Sequence, residues 1–349
     1  MTIGLGFRLW TEFFSDPPLR EQELQMNPRK LAVIGAGPVG AILTAHLCSQ
    51  GHPVFLVDSW KEHIEQIRSE GLRITGRENI LVRPAHLYGS IEALAEVVPD
   101  FVFICTKACD LDNVLGAFRE DLTSRAVFVS VQNGIDTEQV LGKRIGLARV
   151  LRAVITYGGV LVGPGEIRET FFNPPNYLGW LDERGKDCCR EIAELMSAAG
   201  LTTEATPEIR KYVWKKAILN SCTMAPAAVT GMNMQEVIDF PPTGQLVELL
   251  LQESIATAAA CGFDFGPGFD EYVKEFNKRA GPHRPSMLVD LEKRRRTENA
   301  FVIRRIAEYA EQKGIPAPVH RTLANIIDAL EKRGLELDGS NASAKQHKS

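Results

Sequence analysis

The feature that most restricts what this chain can fold into is a glycine-spaced turn, Gly35-Ala36-Gly37-Pro38-Val39-Gly40. It lies directly after the apolar run LAVIG and directly before the helical pattern VGAILTAHLCSQ. In that setting each glycine has a physical task. Gly35 makes the tight turn, Gly37 lets a pyrophosphate approach the backbone, and Gly40 lets the helix pack on the strand. Pro38 and Val39 open the helix, whose N-terminus favours an anion. The competing reading is a structural turn that binds nothing.

The runs that follow repeat the rhythm. PVFLVD, FVFICTK and AVFVSVQN are short and β-branched or aromatic, and helical patterns separate them. Apolar strands of that length alternating with helices imply parallel strands covered on both faces, a doubly wound α/β sheet of the Rossmann type. Residues 149–180 hold further strand-like runs broken by Gly and Pro, read as antiparallel additions at the sheet edge. Past Pro207 the apolar residues fall at helical spacing through five or six segments, so an all-helical domain follows. The expected division is an N-terminal extension at 1–28, a dinucleotide-binding domain at 29–206, a helical substrate and dimerisation domain at 207–338, and a disordered tail at 339–349. A chain of 349 residues suits two domains.

Composition excludes several classes of function. Forty Lys and Arg against 44 Asp and Glu leave a net charge of −4, without the basic stripe that a phosphate backbone attracts. Nucleic acid is therefore not expected. No uncharged apolar run reaches the ~18 residues of a membrane span, and Met1–Trp10 lacks the basic start and small-residue cleavage site of an export signal. The 7 cysteines show no metal spacing and read as reduced thiols in a cytoplasm. The 7 histidines show no paired spacing, so no metal is expected. Arg294-Arg295-Arg296 reads as a solvated face.

Three residues follow strands at the edge where an open parallel sheet binds its ligands. Asp58 stands after PVFLV, about 20 residues past Gly35, where a carboxylate holds the ribose hydroxyls of NAD; alternatively it caps the next helix. Lys107 and Asn133 end FVFICTK and AVFVSVQN and point toward a nicotinamide, unless they are surface turn residues. In the helical half, Lys216 and Asn220 are four apart and share a helix face, which on spacing alone is a solvated face.

The order GAGPVG, TKACD, QNG, Lys216-x-x-x-Asn220, then SML-x-D and Thr297-Glu298, resembles the ketopantoate reductases (2-dehydropantoate 2-reductases) over residues 29–335. The resemblance implies a Rossmann domain joined to a helical domain like that of 6-phosphogluconate dehydrogenase, with a 2-oxo acid reduced in the cleft between them for pantothenate synthesis. It makes Lys216 the catalytic lysine and Glu298 the glutamate that positions lysine and substrate. Asn220 and Ser286 become substrate contacts, and Lys107 and Asn133 cofactor-side groups, with Asn133 also reaching the substrate. At two positions the chain departs from the pattern. Met224 stands where the family often has a second asparagine, and His283 where some members have another. Both fall in the substrate pocket that the resemblance implies.

The cofactor is NADPH or NADH: the family leans to NADPH, whereas the Asp58 charge opposes a 2′-phosphate and leans to NADH. The small-molecule partner is a 2-oxo acid, with a homodimer possible. Two alternatives stay open, another hydroxy-acid or imine dehydrogenase of this architecture and a non-catalytic dinucleotide sensor.

Overall fold

The computed structural model describes the backbone of residues 29–346, so the expected extension at 1–28 lies outside the described residues. The first half runs β1 (Leu31–Ile34), α1 (Pro38–Ser49), β2 (Val54–Val57), α2 (Lys61–Glu70), β3 (Leu72–Gly76), β4 (Ile80–Val82), β5 (His86–Tyr88), β6 (Phe101–Ile104), α3 (Leu111–Gly116), α4 (Glu120–Arg125), β7 (Val127–Ser130) and α5 (Thr137–Ile145). There follow β8 (Val150–Val154), β9 (Tyr157–Gly163), β10 (Glu166–Phe172), β11 (Asn176–Trp180), α6 (Lys186–Ala198) and β12 (Thr203–Thr206).

Eight strands form one sheet in the order β12-β11-β8-β7-β6-β1-β2-β5. All neighbours are parallel except β11 against β8. The order reverses at β1, flanked by β2 and β6, and that reversal opens a crevice at the strands' carboxyl ends. Strands β1, β2 and β6 are buried throughout, as parallel strands with both faces covered must be.

The edge expectation for 149–180 holds for β11, which runs antiparallel to β8 one strand from the sheet's edge, and needs correction for the rest. Strand β8 continues the parallel series, and β9 and β10 leave the main sheet for a second one, in the order β4-β3-β10-β9. The physical reason lies in α1, whose residues Gly40 to Leu47 are all buried. A helix apolar all round must be covered on every side. The main sheet covers one face, and the second sheet covers the other.

The helical domain comprises α7 (Ile209–Thr230), α8 (Met234–Asp239), α9 (Pro241–Ala260), α10 (Phe269–Arg279), α11 (Ser286–Glu292), α12 (Ile303–Gln312) and α13 (Pro318–Gln346). Helix α7 is the axis of this half, and most of its second half is buried. It passes through Pro226 without ending and stops at Gly231, which takes the left-handed conformation at φ 80°. The tail expected to be disordered from residue 339 is instead helical as far as Gln346. Extending an existing helix avoids the costly first turn, and the segment holds no proline to end it.

Candidate active site

The glycine turn sits at the switch point. Gly35 N–H donates to the carbonyl of Val57 at 2.8 Å, and Cys105 N–H to that of Ile34 at 2.8 Å, which draws β1, β2 and β6 together under the turn. Gly35 has φ +100°, and a Cβ there would lie 2.9 Å from the Cys105 carbonyl carbon. A Cβ on Gly40 would lie 1.9 Å from the Gly35 oxygen. These two glycines are required by the protein itself. Gly37 is different: a Cβ there would meet nothing within 4 Å, so no packing in the chain itself requires a glycine. Helix α1 begins there with no side-chain cap and no acidic residue in its first turn, an open anion seat. Beside Gly35, the buried Thr106 hydroxyl has no hydrogen-bond partner. A dinucleotide fits these groups.

Ala36 is held from both sides. Its N–H donates to Asp58 Oδ2 at 2.7 Å, and its carbonyl meets His63 Nε2 at 3.0 Å. Since His63 Nδ1 accepts the Gly165 N–H at 2.9 Å, Nε2 carries the proton and donates. Thus a histidine on α2 ties the glycine turn to the β9–β10 hairpin, a link that sequence reading missed. Asp58 Oδ1 also accepts from Trp60 N–H at 2.8 Å. The carboxylate therefore braces the turn and the entry to α2 together.

The other side of the cleft comes from both domains. Lys216, half-buried on α7, donates from Nζ to the Ile155 carbonyl at 2.8 Å. Burial, with Arg152 nearby, lowers its pKa to about 8, against the pull of Glu298. Glu298 is buried, and its two oxygens accept from Rossmann-domain groups, Ala108 N–H at 3.2 Å and Asn133 Nδ2 at 3.3 Å. Burial pushes its carboxyl pKa up, opposed by those donors and by Lys107. Lys107 forms an ion pair with the buried Asp290 of α11. Asp290 closes the SML-x-D motif, but nothing in the spacing says that its partner lies far upstream on the other domain.

The turn bearing Asn133 binds the domains together. Gly134 at φ +101° lies so close to Phe301 that a Cβ would come within 2.5 Å of the Phe301 Cβ, and Ile135 N–H donates to the Phe301 carbonyl at 2.8 Å. Asp136 accepts from Tyr309 Oη at 2.8 Å and faces Arg210 and Arg305. These residues line a cleft of about 350 Å³.

Lys107, Asn133, Lys216 and Glu298 are thus joined directly or through shared neighbours. Asn220 is half-buried one turn beyond Lys216, and Ser286 is exposed at the first residue of α11 after Pro285. Met224 is 6% exposed and packs in the helical-domain core. Each four-residue step rotates by about 40°, so two steps carry it about 80° round from Lys216. His283 is exposed, its ring edge-on to Phe171 of β10 at 6.2 Å. Among the described residues no cluster suited to a metal ion occurs, and no helix is long and apolar enough to cross a membrane.

Residues 31–182 match the family model "Ketopantoate reductase PanE/ApbA" and residues 208–331 that of its C-terminal domain. The chain is 28% identical over 309 residues to 2-dehydropantoate 2-reductase of Archaeoglobus fulgidus, covering 88% of this chain and 99% of the relative. It is 26% identical over 305 residues to that of Pyrococcus horikoshii, covering 87% and 98%. A solved PanE/ApbA family ketopantoate reductase from Ralstonia eutropha shares the fold at TM-score 0.79 and 23% identity, covering 88% of this chain and 99% of that one. A D-mandelate dehydrogenase solved with NADH and anilino(oxo)acetate shares it at TM-score 0.78 and 22% identity, covering 87% and 99%. With two family models spanning both domains, the chain belongs to the ketopantoate reductase family of nicotinamide-dependent oxidoreductases.

Proposed function

We propose that this enzyme reduces a 2-oxo acid to its 2-hydroxy acid, with 2-dehydropantoate as substrate and pantoate, on the way to pantothenate, as product. The observation that carries the reading is Lys216. Its ammonium is desolvated at the domain junction, held by one carbonyl and close to a buried glutamate that is bound to the cofactor-side domain. When bound, the nicotinamide supplies a hydride to the ketone carbon, and the carbonyl electron pair moves onto oxygen. Lys216 faces that oxygen, stabilises the developing negative charge and then gives it a proton from Nζ. Glu298 keeps the lysine protonated and, through Asn133 and Ala108, holds the two domains in register around it. Asn220, with Ser286 at the mouth of α11, binds the acid's polar groups. Lys107 and Asn133 face the cofactor.

For the cofactor, Asp58 favours NADH: its charge lies where a 2′-phosphate would sit. A second reading, a dehydrogenase acting on another hydroxy acid, draws on Met224. The side chain standing where the family often has asparagine is packed in the core, so position 224 supplies the pocket no donor for the pantoate hydroxyl, whichever residue stands there. The solved mandelate dehydrogenase shows that the architecture serves such chemistry in another protein. The helical domain also exposes Phe240, Leu249, Tyr272 and Phe276, which suits a homodimer that sedimentation would read.

The deciding assay follows nicotinamide absorbance with 2-dehydropantoate, 2-oxoisovalerate and phenylglyoxylate, each with NADH and NADPH. Preference for 2-dehydropantoate by tenfold or more in kcat/KM supports the first reading. Preference for either other acid supports the second, and turnover of none overturns both.

A further inference from the structure

Arg152 lies on β8 beneath the active-site turn, 2% exposed, beside Glu138, 1% exposed. Its Nη1 donates to the Ser130 carbonyl at 3.0 Å and its Nη2 to the Gly134 carbonyl at 2.9 Å. The planar fork therefore closes over both ends of the turn whose apex is Asn133. The Ser130 hydroxyl, itself 3.4 Å from Nη1, meets Thr137 Oγ1 at 2.7 Å and donates to Gln132 Oε1 at 2.8 Å. Nε faces Glu138 Oε2 at 3.3 Å, but neither atom has a hydrogen-bond partner. As an ion pair this arrangement is poor, whereas as a clamp on two carbonyls it is well aligned.

Its presence needs a reason beyond stability. Burying two charges costs several kcal/mol, and replacing such a pair with apolar residues of similar volume is often neutral or stabilising. A packed Met and Leu would fill the space at lower cost. What they would not supply is a fork for two carbonyls and a positive charge facing the lysine. The charged groups that face Lys216 are Arg152 from β8 and Glu298 from the helical domain, with Glu138 behind Arg152.

We infer that Arg152 is a positioning residue for the reduction: it clamps the 130–134 turn so that Asn133 meets Glu298, and it presents a fixed positive charge to Lys216. The inference rests on the reading of Lys216 as proton donor. The two halves of the role are separable. Lysine at 152 keeps the charge but loses the fork, whereas a neutral pair loses both. The electrostatic half fits the lowered pKa of Lys216, where Arg152 acts in the same direction as burial.

The test compares the parent with Arg152→Lys and with the double variant Arg152→Met/Glu138→Leu, after melting temperature and cofactor titration confirm that each is folded. Two quantities are read. One is the pH profile of kcat. The other is the pH dependence of Lys216 reductive methylation by formaldehyde and cyanoborohydride, followed by mass spectrometry, which requires no turnover. In Arg152→Lys, kcat falls about tenfold or more, while both pH midpoints stay near the parent's. In the double variant kcat falls similarly and both midpoints move up by about 1 unit, the scale of one lost neighbouring charge. A double variant with the parent's kcat and midpoints overturns the inference. So does a loss of kcat that merely tracks a loss of melting temperature with the midpoints fixed. If the parent reduces no 2-oxo acid yet the methylation midpoint moves as stated, the functional reading has failed and the charge coupling stands.

Discussion

At the scale of single residues the reading turns on Lys216 and Glu298. Removing a general acid costs about 10²–10⁴ in rate, so Lys216→Ala is expected to lower kcat by that range with cofactor affinity unchanged, as steady-state kinetics and fluorescence titration would show. Lys215→Ala serves as the control, since that ammonium sits over the Tyr272 ring at 4.2 Å and is rotated about 100° around the helix from Lys216. The sign of the pH response follows from the lowered pKa. The donor must be protonated, so kcat holds below about 8 and falls as pH rises through that value. Glu298 works against that lowering, so Glu298→Gln should bring the fall to lower pH; a fall displaced upward would mean that Glu298 does not act on the lysine. The sequence brought these two residues forward only through the family resemblance, since on spacing alone Lys216 reads as part of a solvated helix face. Asp290 lies within the SML-x-D motif, yet nothing in that motif reveals its ion pair with Lys107. Arg152 and His63 carried no signal at all, since their roles come from contacts made between distant stretches of chain.

At the scale of elements, α1 and its glycine turn separate folding from binding. Gly40→Ala forces a Cβ to 1.9 Å from the Gly35 oxygen, whereas Gly37→Ala meets no protein atom within 4 Å. The first is expected to lower the melting temperature by several degrees. The second should leave it unchanged while weakening dinucleotide binding tenfold or more, measured by calorimetric titration. Equal stability losses would show that Gly37 is structural too. Helix α7 carries a parallel prediction. Burying an amide in the apolar site of Met224 costs about 1–3 kcal/mol when its hydrogen bonds go unmade, so Met224→Asn should shift denaturant unfolding by that amount, with little change in substrate preference. Strand and helix order in the first domain was readable from alternating apolar runs. The second sheet was not, although α1, apolar on every side, already required a second cover. Nor did spacing alone reveal that α7 turns Met224 into the core, because the eye follows four-residue steps more readily than their slow rotation.

For the whole molecule, the turn from Val131 to Asp136 joins two domains that could each have had an independent core. Asp136 meets Tyr309, Arg210 and Arg305 from the helical side, and it sits at φ 68°, a conformation that asparagine also tolerates. Calorimetry should find one cooperative transition for the parent. Asp136→Asn, which removes the charge but keeps the backbone, should broaden or split that transition; an unaltered single peak would mean that the remaining contacts suffice. A different consequence follows from the helix enclosed between two sheets. The amide protons of Ile42 to Leu47 in the middle of α1 are buried and hydrogen-bonded within the helix, so they should exchange for deuterium only when the whole domain opens, among the slowest in the protein. The anion seat at the start of that helix would then be as permanent as the fold, and dinucleotide should arrive at a place already set, leaving the exchange rates of α1 to report global opening alone.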